Sequence, residues 1–303
     1  MKKLHWVATF MFVAAGILLL CAPAHAAIGT TPAFVPTRFT VVDAGTLGKP
    51  DLILIPGLSS SREVWSAEAA KLAPNFRLHL VQINGFAGQA AGPNAGDAPM
   101  LPPIVDELHG YIAAGKMHPV VMGHSLGGLL TLMLAAKYPA DVSKLVIVDA
   151  LPFYALIFGP QTTVEAVKPQ AEAMKAQLAG IPQEQWVAMQ PMMAPQMVKD
   201  PAGQKAVAAN SGASDRAIVA KAMVEDIETD MRPDLANIKA PTLVLYEHDT
   251  TLAQPDADKY EATMLSAYKP MPNVKLVQVD GARHFIMYDK PEKFDAEVEA
   301  FLK

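Results

Sequence analysis

The stretch Gly123-His124-Ser125-Leu126-Gly127-Gly128 sets a hydroxyl among glycines. An apolar run, Pro119-Val120-Val121-Met122, precedes it, and a helical pattern from Leu129 to Lys137 follows. A strand, a sharp turn and a helix around Gly-x-Ser-x-Gly make a nucleophile elbow. The glycines are needed because the serine must hold a strained backbone while strand and helix press close to it. Its hydroxyl then stands at the tip of a sheet, with a helix N-terminus aimed at any oxyanion formed there. The same five residues also suit a plain turn, so the chemistry depends on finding partners.

A serine hydroxyl needs a base, and the base needs an orienting acid. In a parallel α/β sheet, functional groups stand on loops past the C-terminal ends of strands. For this elbow their chain order is Ser, acid, His. Glu247-His248-Asp249 follows the apolar run Pro241 to Tyr246, and Asp280-Gly281-Ala282-Arg283-His284 follows Val274 to Val279. Beyond residue 26 the histidines are His79, His109, His118, His124, His248 and His284, and only His284 follows the last strand pattern. Ser125, Asp249 and His284 are therefore the expected nucleophile, acid and base. Asp149, after the run Lys144 to Val148, competes for the acid role, its other reading being a turn or cap residue; Glu247 ranks third. The backbone N–H groups of Leu126 and of Leu58, just past Pro56-Gly57, are the expected oxyanion donors.

These loops require a particular frame. Asp51 to Ile55 is a continuous apolar run, as in a strand buried on both faces of a parallel sheet. Strand patterns also cover Thr37 to Val42 and Phe76 to Ile83. Helices are expected near Val64 to Leu72, Ile104 to Ala114, Asp256 to Ala267 and Pro291 to Leu302. Alternating strands and helices predict an α/β fold with a mostly parallel central sheet flanked by helices. From Pro152 to Ile238 strand patterns stop. That stretch reads as four or five Met-rich helices, interrupted at Gly180-Ile181-Pro182, Pro191, Pro195, Asp200-Pro201 and Asn210-Ser211-Gly212. Residues 153–238 thus form a helical cap, inserted after the strand that follows the elbow helix. Residues 27–152 and 239–303 form the core. The long Gly-, Ala- and Pro-rich loop after Ile83 is of a length usually functional or mobile.

Composition supports a sizeable core: 51% of residues are hydrophobic and 18% charged. The net charge of -5, without a basic block, gives no sign of nucleic-acid binding. Residues 1–26 read as a signal peptide, with Lys2 and Lys3, an apolar run from Trp6 to Leu20 and the cleavage pattern Ala24-His25-Ala26. The expectation is an exported bacterial protein, periplasmic or secreted, with no stable membrane insertion after cleavage. Cys21, the sole cysteine, would leave with that leader. This excludes cysteine nucleophiles and cysteine-ligated metals.

With these residues in place, the chain resembles the α/β-hydrolase superfamily, in particular its capped bacterial branch of esterases, lactonases, perhydrolases and carbon–carbon hydrolases. The matching stretches are Ile55 to Trp65, Gly123 to Gly128, Pro241 to Asp249 and Gly281 to Phe285. Two positions depart: Pro56-Gly57 stands where the family often has His-Gly, and Tyr246 where it often has Gly before the acid. The resemblance implies that His284 takes the Ser125 proton. The serine then attacks an acyl carbonyl, and an acyl-enzyme is hydrolysed without metal or organic cofactor. A small hydrophobic ester is the expected substrate, with lactone opening, amide hydrolysis, acyl transfer or perhydrolysis as alternatives on the same triad. A non-catalytic binding protein on this fold is the remote alternative. Phe153, Tyr154, Met192 and Met193 are the expected pocket-lining residues.

Overall fold

The computed structural model describes residues 34–252 and 256–303; the expected leader lies outside them. Seven strands form one sheet: β1 (Phe39–Gly45), β2 (Asp51–Ile55), β3 (Arg77–Ile83), β4 (Val120–His124), β5 (Lys144–Val148), β6 (Thr242–His248) and β7 (Val274–Asp280). Their spatial order is β1-β3-β2-β4-β5-β6-β7. Among the described residues only β1 pairs antiparallel, against β3; every other neighbour is parallel.

The central strands bury both faces, and their side chains alternate between two apolar layers. Ile53, Ile55, Val121, Leu145, Ile147 and Val244 enter one layer, with α2 (Leu101–Gly115), α3 (Leu126–Lys137) and α8 (Ala257–Tyr268). Leu52, Leu54, Val120, Met122, Val146, Val148, Leu243 and Leu245 enter the other. There they meet α1 (Ser66–Leu72), the short α9 (Ile286–Asp289) and α10 (Pro291–Leu302). This two-sided burial explains the unbroken apolar runs in the sequence.

The insertion between β5 and β6 contains a short 3-10 turn at Tyr154–Phe158 and four α-helices: α4 (Val164–Gly180), α5 (Gln183–Met197), α6 (Pro201–Ala213) and α7 (Arg216–Glu228). Several expected breaks fall differently. Asp200-Pro201 opens α6, with the Asp200 side chain accepting from Gly203 N–H and Pro201 in the first turn. Asn210-Ser211-Gly212 lies inside α6, and α5 runs through Pro191 and Pro195. Each proline removes the helical partner of the carbonyl four residues back, and those residues, Val187 and Pro191, are exposed to water. The inward stripe Trp186, Gln190 and Ala194 holds the helix regardless. Among the described residues no helix is long and apolar enough to cross a membrane.

Candidate active site

The elbow is built by close packing around Ser125, which has φ 53° and ψ -121°. A side chain at Gly123 would overlap the Gly127 carbonyl, and one at Gly127 would overlap the carbonyls of Ile55 and Pro56. These are the contacts that demand glycine. The Leu126 N–H opens α3 and has no acceptor within the helix. Gly57 brings the next chain segment close: a Cβ there would lie 2.9 Å from His124 Nδ1 and 3.1 Å from the Ser125 Cβ. Leu58, directly after it, is partly buried against the core.

His284 stands past β7, and its Nδ1 lies 2.6 Å from Asp149 Oδ2. The other oxygen of Asp149 accepts from the Glu247 N–H at 2.9 Å and from the Tyr260 hydroxyl at 3.2 Å. Asp149 is 2% exposed. Like Ser125 it has a positive φ, 47°.

The expectation that Asp249 faces His284 is not met. The register supplies the reason. His124 is level with Val148, and Val148 with Leu245, so Ser125, Asp149 and Tyr246 stand at one height. β6 continues to His248 rather than ending at Tyr246. Asp249 is therefore three residues farther out, about 10 Å along the strand direction at 3.3 Å per residue. It pairs instead with Arg283 at 2.8 Å, Lys199 at 3.2 Å and the Thr251 hydroxyl at 2.7 Å. These donors hold its carboxyl well below the ordinary range despite burial. Arg283 also donates to the Pro195 carbonyl. Beside it, Asp289 accepts from the N–H groups of Lys199, Asp200 and Arg283, and Phe285 N–H donates to Met197 O. Asp249 thus belongs to a clamp between the cap and the segment carrying His284.

Glu247 lies between the two aspartates. Burial, then the charges of Asp149 and Asp249, pushes its carboxyl up to about 9, so it is neutral at pH 7. His124 is fully buried and donates Nε2–H to the His284 carbonyl at 3.0 Å, which fixes the backbone at His284. Burial, then the neighbouring His284, holds the His124 imidazole well below its ordinary range. Burial, then Asp149, likewise keeps the Tyr260 phenol protonated, as a donor must be. His124 and Tyr260 were missed as parts of the site by sequence reasoning, and Glu247 entered it only as the third candidate for the acid. Only His124 carried a local signal, its place inside the elbow.

Of the expected lining residues, Tyr154 is partly buried, and its phenol is pushed up to about 12 by burial and then by the charges of Asp226, Asp149 and Glu247. Phe153 is fully buried in the core with the Arg232 guanidinium 4.7 Å above its ring. Met192 and Met193 do not line a pocket; they are 71% and 46% exposed, because Trp186, Gln190 and Ala194 take the inner face of α5. A metal-compatible group exists at His248, Asp258 and Glu261, with one ligand atom from each within 4.8 Å. His248 is already bracketed by Asp258 and Asp280, and Asp258 is almost wholly exposed.

The fold and this site define a hydrolase on an α/β scaffold. Residues 52–297 match the alpha/beta hydrolase family, and the chain belongs to it. Similar proteins include a pimeloyl-[acyl-carrier protein] methyl ester esterase from Pectobacterium atrosepticum, 27% identical over 259 residues, covering 84% of this chain and 94% of the relative. The same-named esterase of Edwardsiella ictaluri is 27% identical over 255 residues, covering 84% and 93%. Among solved structures, a thermophilic esterase from Thermogutta terrifontis superposes with a TM-score of 0.70 at 21% identity, covering 87% of this chain and 92% of that one. An enol-lactonase from Burkholderia xenovorans does so with a TM-score of 0.68 at 18% identity, covering 88% and 96%. These two likenesses speak for the fold.

Proposed function

We propose that the protein hydrolyses carboxylic esters of a small substrate through an acyl-enzyme on Ser125, with His284 as base and Asp149 as acid. The observation that carries this reading is the 2.6 Å His284–Asp149 pair, level with a strained serine at an elbow. Its support from relatives is the methyl ester esterase activity in their names, at 27% identity over most of both chains. Asp149 holds Nδ1 of His284 in the protonated tautomer, leaving Nε2 to take the Ser125 proton. The alkoxide attacks the ester carbonyl, and the Leu126 and Leu58 N–H groups receive the developing oxyanion. His284 returns the proton to the departing alcohol. Water then gives a proton to His284 and attacks the acyl carbonyl; the acyl–Oγ bond breaks, His284 returns the proton to Ser125 Oγ and the acid leaves.

The test is hydrolysis of p-nitrophenyl esters from acetate to octanoate by wild type and Ser125→Ala. Activity confined to wild type is expected, with Ser125 Oγ phosphonylated by a fluorophosphonate, fluoride leaving, as read by mass spectrometry. No cleavage at any chain length would refute the ester reading. The leader expected in residues 1–26 puts this chemistry outside the cytoplasm, and an N-terminus at Ala27 on protein recovered from a bacterial periplasm would support that.

A further inference from the structure

The apolar layer between the sheet and helices α1 and α10 takes in an imidazole. Met122 and His124 are two residues apart on β4 and so share a face, and Met122 enters that layer. The His124 ring is fully buried, with the rings of Trp65, Phe285 and His284 centred 6.5, 4.6 and 4.6 Å away. A polar ring in such surroundings is costly to bury without a hydrogen bond. Nε2 has one, at 3.0 Å from the His284 carbonyl. A carbonyl oxygen only accepts, so the proton sits on Nε2 and Nδ1 keeps a bare lone pair. Nδ1 has no hydrogen-bond partner among the described residues, and a Cβ at Gly57 would lie 2.9 Å from it. Burial, then His284, opposes the charge that a second proton would bring. The ring is thus a neutral donor with its proton at one fixed place.

His124 immediately precedes Ser125, so this bond ties the strand end that carries the nucleophile to the segment that carries the base. Among the described residues no other hydrogen bond joins residues 281–285 to residues 123–128. The remaining bonds of the base segment lead elsewhere. His284 Nδ1 pairs with Asp149 at 2.6 Å, Arg283 N–H donates to Asp289 at 2.9 Å, and Phe285 N–H donates to Met197 O at 3.1 Å. Asp149 therefore sets the tautomer of the base, while the reach from His284 to Ser125 depends on where its backbone is held.

We propose that His124 is a positioning residue: its Nε2–H, given to the His284 carbonyl, holds the base at working distance from Ser125. Fully buried, it does not reach the substrate. This rests on the ester reading above but is tested separately from it. The experiment compares His124→Gln with His124→Met on p-nitrophenyl butyrate. Both replacements lose the ring and have the same length, and only glutamine carries an N–H for the His284 carbonyl. His124→Gln should keep kcat within about threefold of wild type. His124→Met should lower it by roughly tenfold to a hundredfold, the scale of a base displaced by about 1 Å. KM should be alike in all three proteins. Phosphonylation of Ser125 by a fluorophosphonate should slow in step with kcat, because the same base serves both reactions. Methionine is the less costly residue to bury, so its Tm should be no lower than that of the glutamine variant, and stability then does not account for its lower kcat. Equal kcat in the two variants, a loss carried by KM, or a kcat that simply follows Tm would overturn the proposal. Should His124→Met fail to fold, His124→Phe, which keeps a ring without a donor, takes its place against glutamine. An absence of ester cleavage in wild type would strike the ester reading, while cleavage at equal rates in the two variants would strike this one alone.

Discussion

The loops after β5 and β6 begin alike and end differently. Each follows a buried parallel strand, and each offers an aspartate that is almost wholly buried, Asp149 and Asp249. Asp149 receives His284, the Tyr260 hydroxyl and a backbone N–H. Asp249 receives Arg283, Lys199 and Thr251. A difference in strand length separates them: β6 runs past the level of Ser125, while β5 stops at it. Position along the sheet, more than residue type, decides which carboxylate meets His284.

The comparison can be broken most forcefully at Asp149. Asp149→Asn should lower kcat on p-nitrophenyl esters by about ten-thousandfold, the scale seen when a triad acid becomes an amide. Asp249→Asn should leave kcat within about tenfold of wild type. Its main effect should be a loss of about 3 kcal/mol in urea unfolding, because the Arg283 charge keeps too few partners. Equal losses of activity in the two variants would remove the distinction.

Within β6 and the loop after it, Glu247 and Asp249 should differ in the sign of their pH dependence. Glu247 has its carboxyl raised from 4.5 to about 9, so the stability it contributes is full below pH 4.5 and is lost as pH rises towards 9. Asp249 is shifted downward from 3.8, so its contribution is present above pH 3.8 and is lost as pH falls below it. Glu247→Gln should therefore raise Tm at pH 8–9 and change it little at pH 4. A uniform shift across that range would contradict the neutral state of Glu247. The smallest effect is expected from Tyr260→Phe, which removes one donor from Asp149: about tenfold in kcat, with KM nearly unchanged.

Much of this site was legible in the sequence. The serine elbow could be read because close packing there admits only glycine at Gly123 and Gly127. His284 could be read because one histidine alone follows the last strand pattern. The acid could not be chosen, because the extension of β6 through Glu247 and His248 depends on pairing with β7, a tertiary contact. Both residues are polar, and their spacing from Tyr246 resembles a loop. The inner face of α5 was also hidden. Trp186, Gln190 and Ala194 form its stripe, and the methionines between them look equally suited to a core.

The account turns on the hydrogen bond between Asp149 and His284, and proton NMR reads that bond directly. A hydrogen-bonded imidazole Nδ1–H gives a low-field resonance far from the amide region. That resonance should be present in wild type and in Asp249→Asn, and absent in Asp149→Asn. A resonance that survives Asp149→Asn but disappears in Asp249→Asn would contradict the assignment of the acid.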